Sequence, residues 1–75
     1  MTALDVCYRY DTPPGERELR AINAVREVYG IRRLGFDEHN RTVTVEYDAT
    51  RLNDAAVASL LRGAGLDLKE KIKLI

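Results

Sequence analysis

The chain has one cysteine, two prolines, one phenylalanine and no tryptophan in 75 residues, and its charges cancel. Each scarcity excludes something. A lone Cys7 cannot close an internal disulfide or build a cysteine-based zinc or copper site by itself. Small secreted domains usually carry several cysteines, so a reducing, cytoplasmic setting is expected. With 12 basic and 12 acidic side chains the formal net charge is +0. Nucleic-acid binders draw much of their affinity from a basic excess, so no nucleic-acid partner is expected. No apolar run approaches the roughly 20 residues that span a bilayer. Met1-Thr2-Ala3-Leu4-Asp5 also lacks the charged-then-apolar layout of a signal peptide, and no membrane partner is expected. Missing as well are a glycine-rich phosphate loop, a nucleophile beside a general base and a compelling carboxylate pair. The chain therefore does not read as an enzyme.

What is present is a clean alternation of periods. Leu4, Val6 and Tyr8 share one parity, and Asp5, Cys7 and Arg9 the other, which is the pattern of a half-buried strand from Leu4 to Tyr10. Asp11-Thr12-Pro13-Pro14-Gly15 stops it, since proline cannot donate to a ladder but suits a first helical turn. Thr12 is the expected N-cap, its hydroxyl reaching the Gly15 N–H. Ala21, Ile22, Val25, Val28 and Tyr29 recur at helical spacing, Glu16 and Arg20 sit four apart on the wet side, and Gly30 ends the helix. Ile31, Leu34 and Phe36 form a second extended segment in which Arg32-Arg33 breaks alternation, followed by a turn at Asp37-Glu38-His39-Asn40. Thr42 to Tyr47 alternates strictly, with Val43, Val45 and Tyr47 on one side. After the loop Asp48–Arg51, Asn53 is the expected cap of a second helix, with Leu52 clamping onto Val57 as a staple. Val57, Leu60, Leu61 and Ala64 line that helix, and Gly63-Ala64-Gly65 closes it. In the last segment Leu66, Leu68, Ile72 and Leu74 are expected inward, with Glu70 an exception on their parity. Asp67, Lys69, Lys71 and Lys73 are expected outward, a lysine face that protects an edge strand.

Strand, helix, strand, strand, helix, strand, each with one apolar face, calls for a single domain of α+β class. The expected form is a ferredoxin-like βαββαβ sandwich, two helices packed on one face of a four-stranded antiparallel sheet. From Leu4 to Leu74 the chain resembles a heavy-metal-associated domain. The resemblance is carried by Gly30-Ile31 with Leu34 and Phe36, by Val43-Thr44-Val45-Glu46-Tyr47-Asp48, and by the helix end Gly63-Ala64-Gly65-Leu66. It implies soft-metal binding through a C-x-x-C pair where the first strand meets the first helix. Counted back from Gly30, those positions are Pro14 and Arg17, and neither ligates a metal. What remains is a non-catalytic domain that has lost its soft-metal site, holds no cofactor, and serves as an interaction module for a protein partner or a second copy. The alternative is a divergent metal-binding protein with non-cysteine ligands.

For that alternative the candidates are Asp11, Glu16 and His39, because the first strand–helix loop and the central hairpin lie at the same end of this topology. A carboxylate and an imidazole there suit Zn(II) or Ni(II). The plainer account gives Glu16 to the helix dipole and His39 to a wet turn, and the sequence favours it. Cys7 has outward parity; it is either a handle for redox or intermolecular metal chemistry or a small residue partly covered on the sheet, and the second is favoured. Tyr8, Tyr10 and Tyr47 suggest base stacking, but two of them share parity with Val6 and Val45 and so read as core. Acylphosphatase-like enzymes share the topology, but Pro13 and Pro14 remove N–H groups that an anion loop would need.

Overall fold

In a computed structural model of the chain, residues 3–72 are described. The elements follow in the expected order: β1 Ala3–Tyr10, α1 Glu16–Val25, β2 Ile31–Asp37, β3 Thr42–Asp48, α2 Asp54–Gly63 and β4 Leu68–Ile72. The strands form one four-stranded antiparallel sheet in the order β2-β3-β1-β4. This is the ferredoxin-like α+β arrangement that the alternating periods call for. Val6, Tyr8, Tyr10, Leu34, Val43, Val45 and Tyr47 on one sheet face join Ile22 and Val25 of α1 and Val57, Ala58 and Leu61 of α2 in one buried cluster. The helices therefore cover that face.

Two β-bulges set which side chains face in. In β2 the register runs from Ile31 opposite Tyr47 to Arg33 opposite Glu46, so Arg32 is an extra residue. The break in alternation at Arg32-Arg33 is this bulge: it flips parity, and Ile31, Leu34 and Phe36 can all meet the core. In β4 the register runs from Leu68 opposite Tyr10 to Glu70 opposite Arg9, leaving Lys69 over. That corrects the expected facing of the last strand. Glu70 lies on the open face, where it pairs with Arg9 at 3.1 Å. Ile72 stands opposite Cys7 on that same open face, whereas Lys71 stands opposite Tyr8 on the helix side, where its ammonium reaches the Asp54 carboxylate. Lys73 and Leu74 lie outside the described residues.

The caps differ at one end. Asn53 caps α2, its side-chain oxygen accepting from the Ala56 N–H at 2.8 Å. At α1 the cap is Gly15, not Thr12, and its N–H donates to the Glu18 carboxylate at 3.2 Å. The two prolines keep the chain extended past Thr12. Helix α1 also ends at Val25, earlier than Tyr29, and turns carry the chain to Gly30, whose φ is +104°. Tyr29 leaves the expected stripe, being 68% exposed, and its ring lies under the Arg51 guanidinium at 4.2 Å.

Candidate functional site

The end of the sheet where β1 runs into α1 also carries the β2–β3 hairpin. Three segments meet there: the tail of β1 with its Pro13-Pro14 exit, the first turn of α1, and the hairpin 38–41. Asp37 holds the hairpin, its carboxylate accepting from the Asn40 N–H at 3.3 Å and from the Asn40 side-chain amide at 2.8 Å. These bonds keep the Asp37 carboxyl below its ordinary value. Arg41 closes the turn at φ 54° and its guanidinium donates to the Asp11 carbonyl at 3.3 Å, tying hairpin to loop.

Between these segments lies a cleft of about 380 Å³ lined by Tyr10, Pro13, Pro14, Leu19, Phe36, Glu38 and Arg41. Its floor is aromatic: Tyr10 meets Phe36 edge to face with centroids 5.9 Å apart. Proline rings form a stiff wall, and Leu19, 44% exposed, is an apolar side chain left open to water beside it. Tyr10 is only 2% exposed, yet no group among the described residues hydrogen-bonds its hydroxyl. Among the described residues no buried side-chain oxygen lacks a partner, so that hydroxyl is reached by solvent. Burial, then the carboxylates of Glu38 and Asp37, raise its pKa, and Arg41 pulls it the other way with the least effect. With its pKa raised above 10.0, the phenol stays protonated at neutral pH.

The expected ligands are dispersed. Asp11 and His39 line one polar depression of about 310 Å³ with Arg9, Tyr10, Asn40 and Arg41. Glu16 is held apart on α1, where Arg20 pairs with it at 2.9 Å. Cys7 is a free thiol that is buried in the sheet at 5% exposure, despite its outward parity, with Thr44 and Ile72 as register neighbours. Among the described residues no three His, Cys, Asp or Glu side chains gather as metal ligands. A soft metal does not fit the positions that the family resemblance marks, because Pro14 belongs to the apolar wall and Arg17 is an exposed cation. Tyr8, Tyr10 and Tyr47 are all buried, so none offers a stacking platform on the open sheet face.

Sequence reasoning passed over the cleft. Its one local signal is Leu19, a large apolar residue in the first turn of α1 that the helix's buried stripe leaves uncovered. At the other end of the molecule, Asp48 organises the β3–α2 turn: its carboxylate accepts from the Thr50 hydroxyl at 2.6 Å and the Thr50 N–H at 3.0 Å, which lowers its pKa. The Tyr8 hydroxyl donates to the Asp54 carbonyl at 3.0 Å, locking β1 to α2. Comparison with protein-family models and with curated proteins found no match. No helix among the described residues is long and apolar enough to cross a membrane.

Proposed function

We propose that the chain is a non-catalytic domain of heavy-metal-associated type whose metal loop has become a protein-docking loop. The observation that carries this is the cleft itself. At the strand–helix junction, where the resemblance implies thiolates at the positions of Pro14 and Arg17, Pro13, Pro14 and Leu19 line a cleft backed by Tyr10 and Phe36. Thiolates facing water bind ions, whereas a rigid apolar wall beside an exposed leucine is suited to excluding water against another surface. The domain acts in the cytoplasm, with no resident cofactor.

The test is a retention experiment read against a cleft variant. The wild-type chain and Leu19→Glu are compared by light scattering over a concentration series and as baits for defined candidate partners. Self-association or a partner that the wild type retains and Leu19→Glu loses supports the docking role. A chain that stays monomeric, and whose partners are indifferent to Leu19→Glu, overturns it.

A second reading has one observation in its favour. Asp11 and His39 share a depression, so a borderline metal such as Zn(II) has two donors there. Saturable amide shifts at both residues during a Zn(II) titration, abolished by His39→Ala, would select it over docking; a silent titration would retire it.

A further inference from the structure

The helices cover one face of the sheet, and the strand register fixes what stands on the other. Gly35, Thr44, Cys7 and Ile72 are register neighbours in turn, so they form one uncharged row across all four strands. Gly35 carries no side chain and Cys7 is 5% exposed, so little in the middle of this row stands above the sheet. On one side of it lies a row of Arg33, Glu46 and Asp5; on the other lies a row of Asp37, Thr42, Arg9 and Glu70. Glu46 is met by Arg32 at 3.8 Å and Glu70 by Arg9 at 3.1 Å. Arg33 and Asp5 form no ion pair among the described residues. Reading from β2 towards β1, the first charged row runs from cation to anion and the second from anion to cation. A face whose two halves carry opposite charge order is complementary to its own reversal.

We infer that two copies of the chain stack these open faces about a twofold axis lying along the Gly35–Thr44–Cys7–Ile72 row. This surface is separate from the cleft and does not depend on it. The axis lays each strand over its own counterpart, reversed, and exchanges the two charged rows. Arg33 then faces Asp37 of the second copy, and Asp5 faces Arg9 of the second copy. Glu46, already beside Arg32, faces the uncharged Thr42. Symmetry makes each of these contacts twice. Stacked sheets keep their strands within about 30° of each other, so the match of rows survives the sheet twist. The other axis in the plane, along the strands, lays Asp5 over Glu46 and Asp37 over Glu70, like charge on like at both places. Charge thus selects one of the two stackings. The face is only four strands wide at about 4.8 Å apart, so the dimer is a weak one that forms at high concentration and loosens with salt.

The experiment is a charge-swap series on the full chain, read by sedimentation and by amide NMR shifts over concentrations up to about 1 mM at low salt. The wild type is expected to associate to a dimer, with concentration-dependent shifts at Gly35, Thr44 and Cys7. Asp5→Arg sets cation against cation at both contacts, and Arg9→Asp sets carboxylate against carboxylate. Each alone should weaken the dimer roughly ten-fold or more, since an exposed pair is lost twice and replaced by repulsion. An equimolar mixture of the two variants restores opposite charges at both contacts, so it should associate as the wild type does. That recovery also shows that both variants are folded. A wild type that stays monomeric at the highest concentration overturns the inference. Tighter association of Asp5→Arg overturns it in favour of the axis along the strands, which sets Asp5 against Glu46. Weakened single variants whose mixture does not recover overturn the Asp5–Arg9 contact and the axis with it. Association that Leu19→Glu abolishes belongs to the cleft and overturns the sheet-face assignment while supporting the docking reading.

Discussion

Replacing glycines one at a time by alanine provides a sharp test of how this chain is held, because the same methyl group is expected to act with opposite signs at different positions. At Gly30 two costs add. The residue sits at φ +104°, and a Cβ built there lies 2.9 Å from Leu52 Cδ1 and 3.0 Å from its Cγ. A side chain with positive φ costs about 1–2 kcal/mol. Pushing Leu52 against the core adds an overpacking cost of about 1–3 kcal/mol. Gly30→Ala should thus lose about 2–5 kcal/mol, a large share of the roughly 4–11 kcal/mol that a domain of this length holds. Gly65 has a similar φ of +100°, but its Cβ meets Glu18 Cγ at 2.9 Å, part of a flexible side chain that can swing away. Gly65→Ala should cost only the conformational part, about 1–2 kcal/mol. Gly63 ends α2 with nothing within 4 Å of a new Cβ. Gly63→Ala should stabilise by about 0.5–1 kcal/mol, because alanine loses less backbone freedom on entering a helix. Urea unfolding of the set, with unchanged m-values, reads these differences directly. In a thermal scan the Gly30→Ala change corresponds to a fall on the order of 10–30 °C. A double-mutant cycle with Leu52→Ala, carried in the Gly63→Ala background, should recover the contact part and leave the φ part. If Gly30→Ala is no more destabilising than Gly65→Ala, or if the cycle shows no coupling, the Leu52 contact is not what fixes this turn.

Leu61→Ala should cost about 2–5 kcal/mol by chemical denaturation, since Leu61 is fully buried in α2 within the shared core; a loss below 1 kcal/mol would mean that the sheet and helices collapse around the gap. Cys7 should react with a thiol-specific reagent only as fast as the sheet opens, and at once in denaturant, because it is 5% exposed; immediate labelling of the folded chain would refute its burial. The pH profile should be flat around neutrality and fall at both extremes. Asp37, Asp48 and Asp54 have folded pKa values below 3.8, so their stabilising contribution is complete above that value and is lost as pH falls through the folded pKa values. Tyr8 and Tyr10 are raised above 10.0 and Lys71 above 10.5, so their contributions are complete below those values and are lost as pH rises through the folded ones. Urea midpoints measured across pH, with Asp48→Asn flattening the acid limb, check the assignment; an acid limb unchanged in that variant removes Asp48 from it.

The fold was legible because periodicity is a local property. Val43, Val45 and Tyr47 declare a half-buried strand without reference to anything else in the chain, and Asn53 announces a helix start by its chemistry alone. The misread details are those that depend on a neighbour. The facing of β4 turns on one leftover residue, Lys69, which is extra only in relation to Arg9 and Tyr10 on β1. From the sequence, Leu68, Glu70 and Ile72 share a parity and Glu70 looks like an error; with the bulge in place, Glu70 pairs with Arg9 and Lys71 is free to reach Asp54 under the helix. The same reasoning applies at α1, where Tyr29 fits the helical stripe by spacing but the helix stops at Val25 before the stripe can carry it inward.

The candidate site is the extreme case of that dependence. Topology puts Asp11, Glu16 and His39 at one end of the fold, yet shared location is not convergence: Glu16 is turned to Arg20 while Asp11 and His39 border a separate depression. The cleft beside them is assembled from a strand end, a proline pair, one helix turn and a hairpin, none of which is unusual in its own segment. Its chemistry appears only when Tyr10, an ordinary core residue by parity, is found with its ring buried and its hydroxyl open to a cleft that Glu38 and Arg41 also line. A residue can thus belong to the core by its ring and to the site by its oxygen, and sequence parity reports only the first. This makes Tyr10→Phe more informative than a truncation: it leaves the edge-to-face packing on Phe36 in place and removes only the hydroxyl that Tyr10 presents to the cleft.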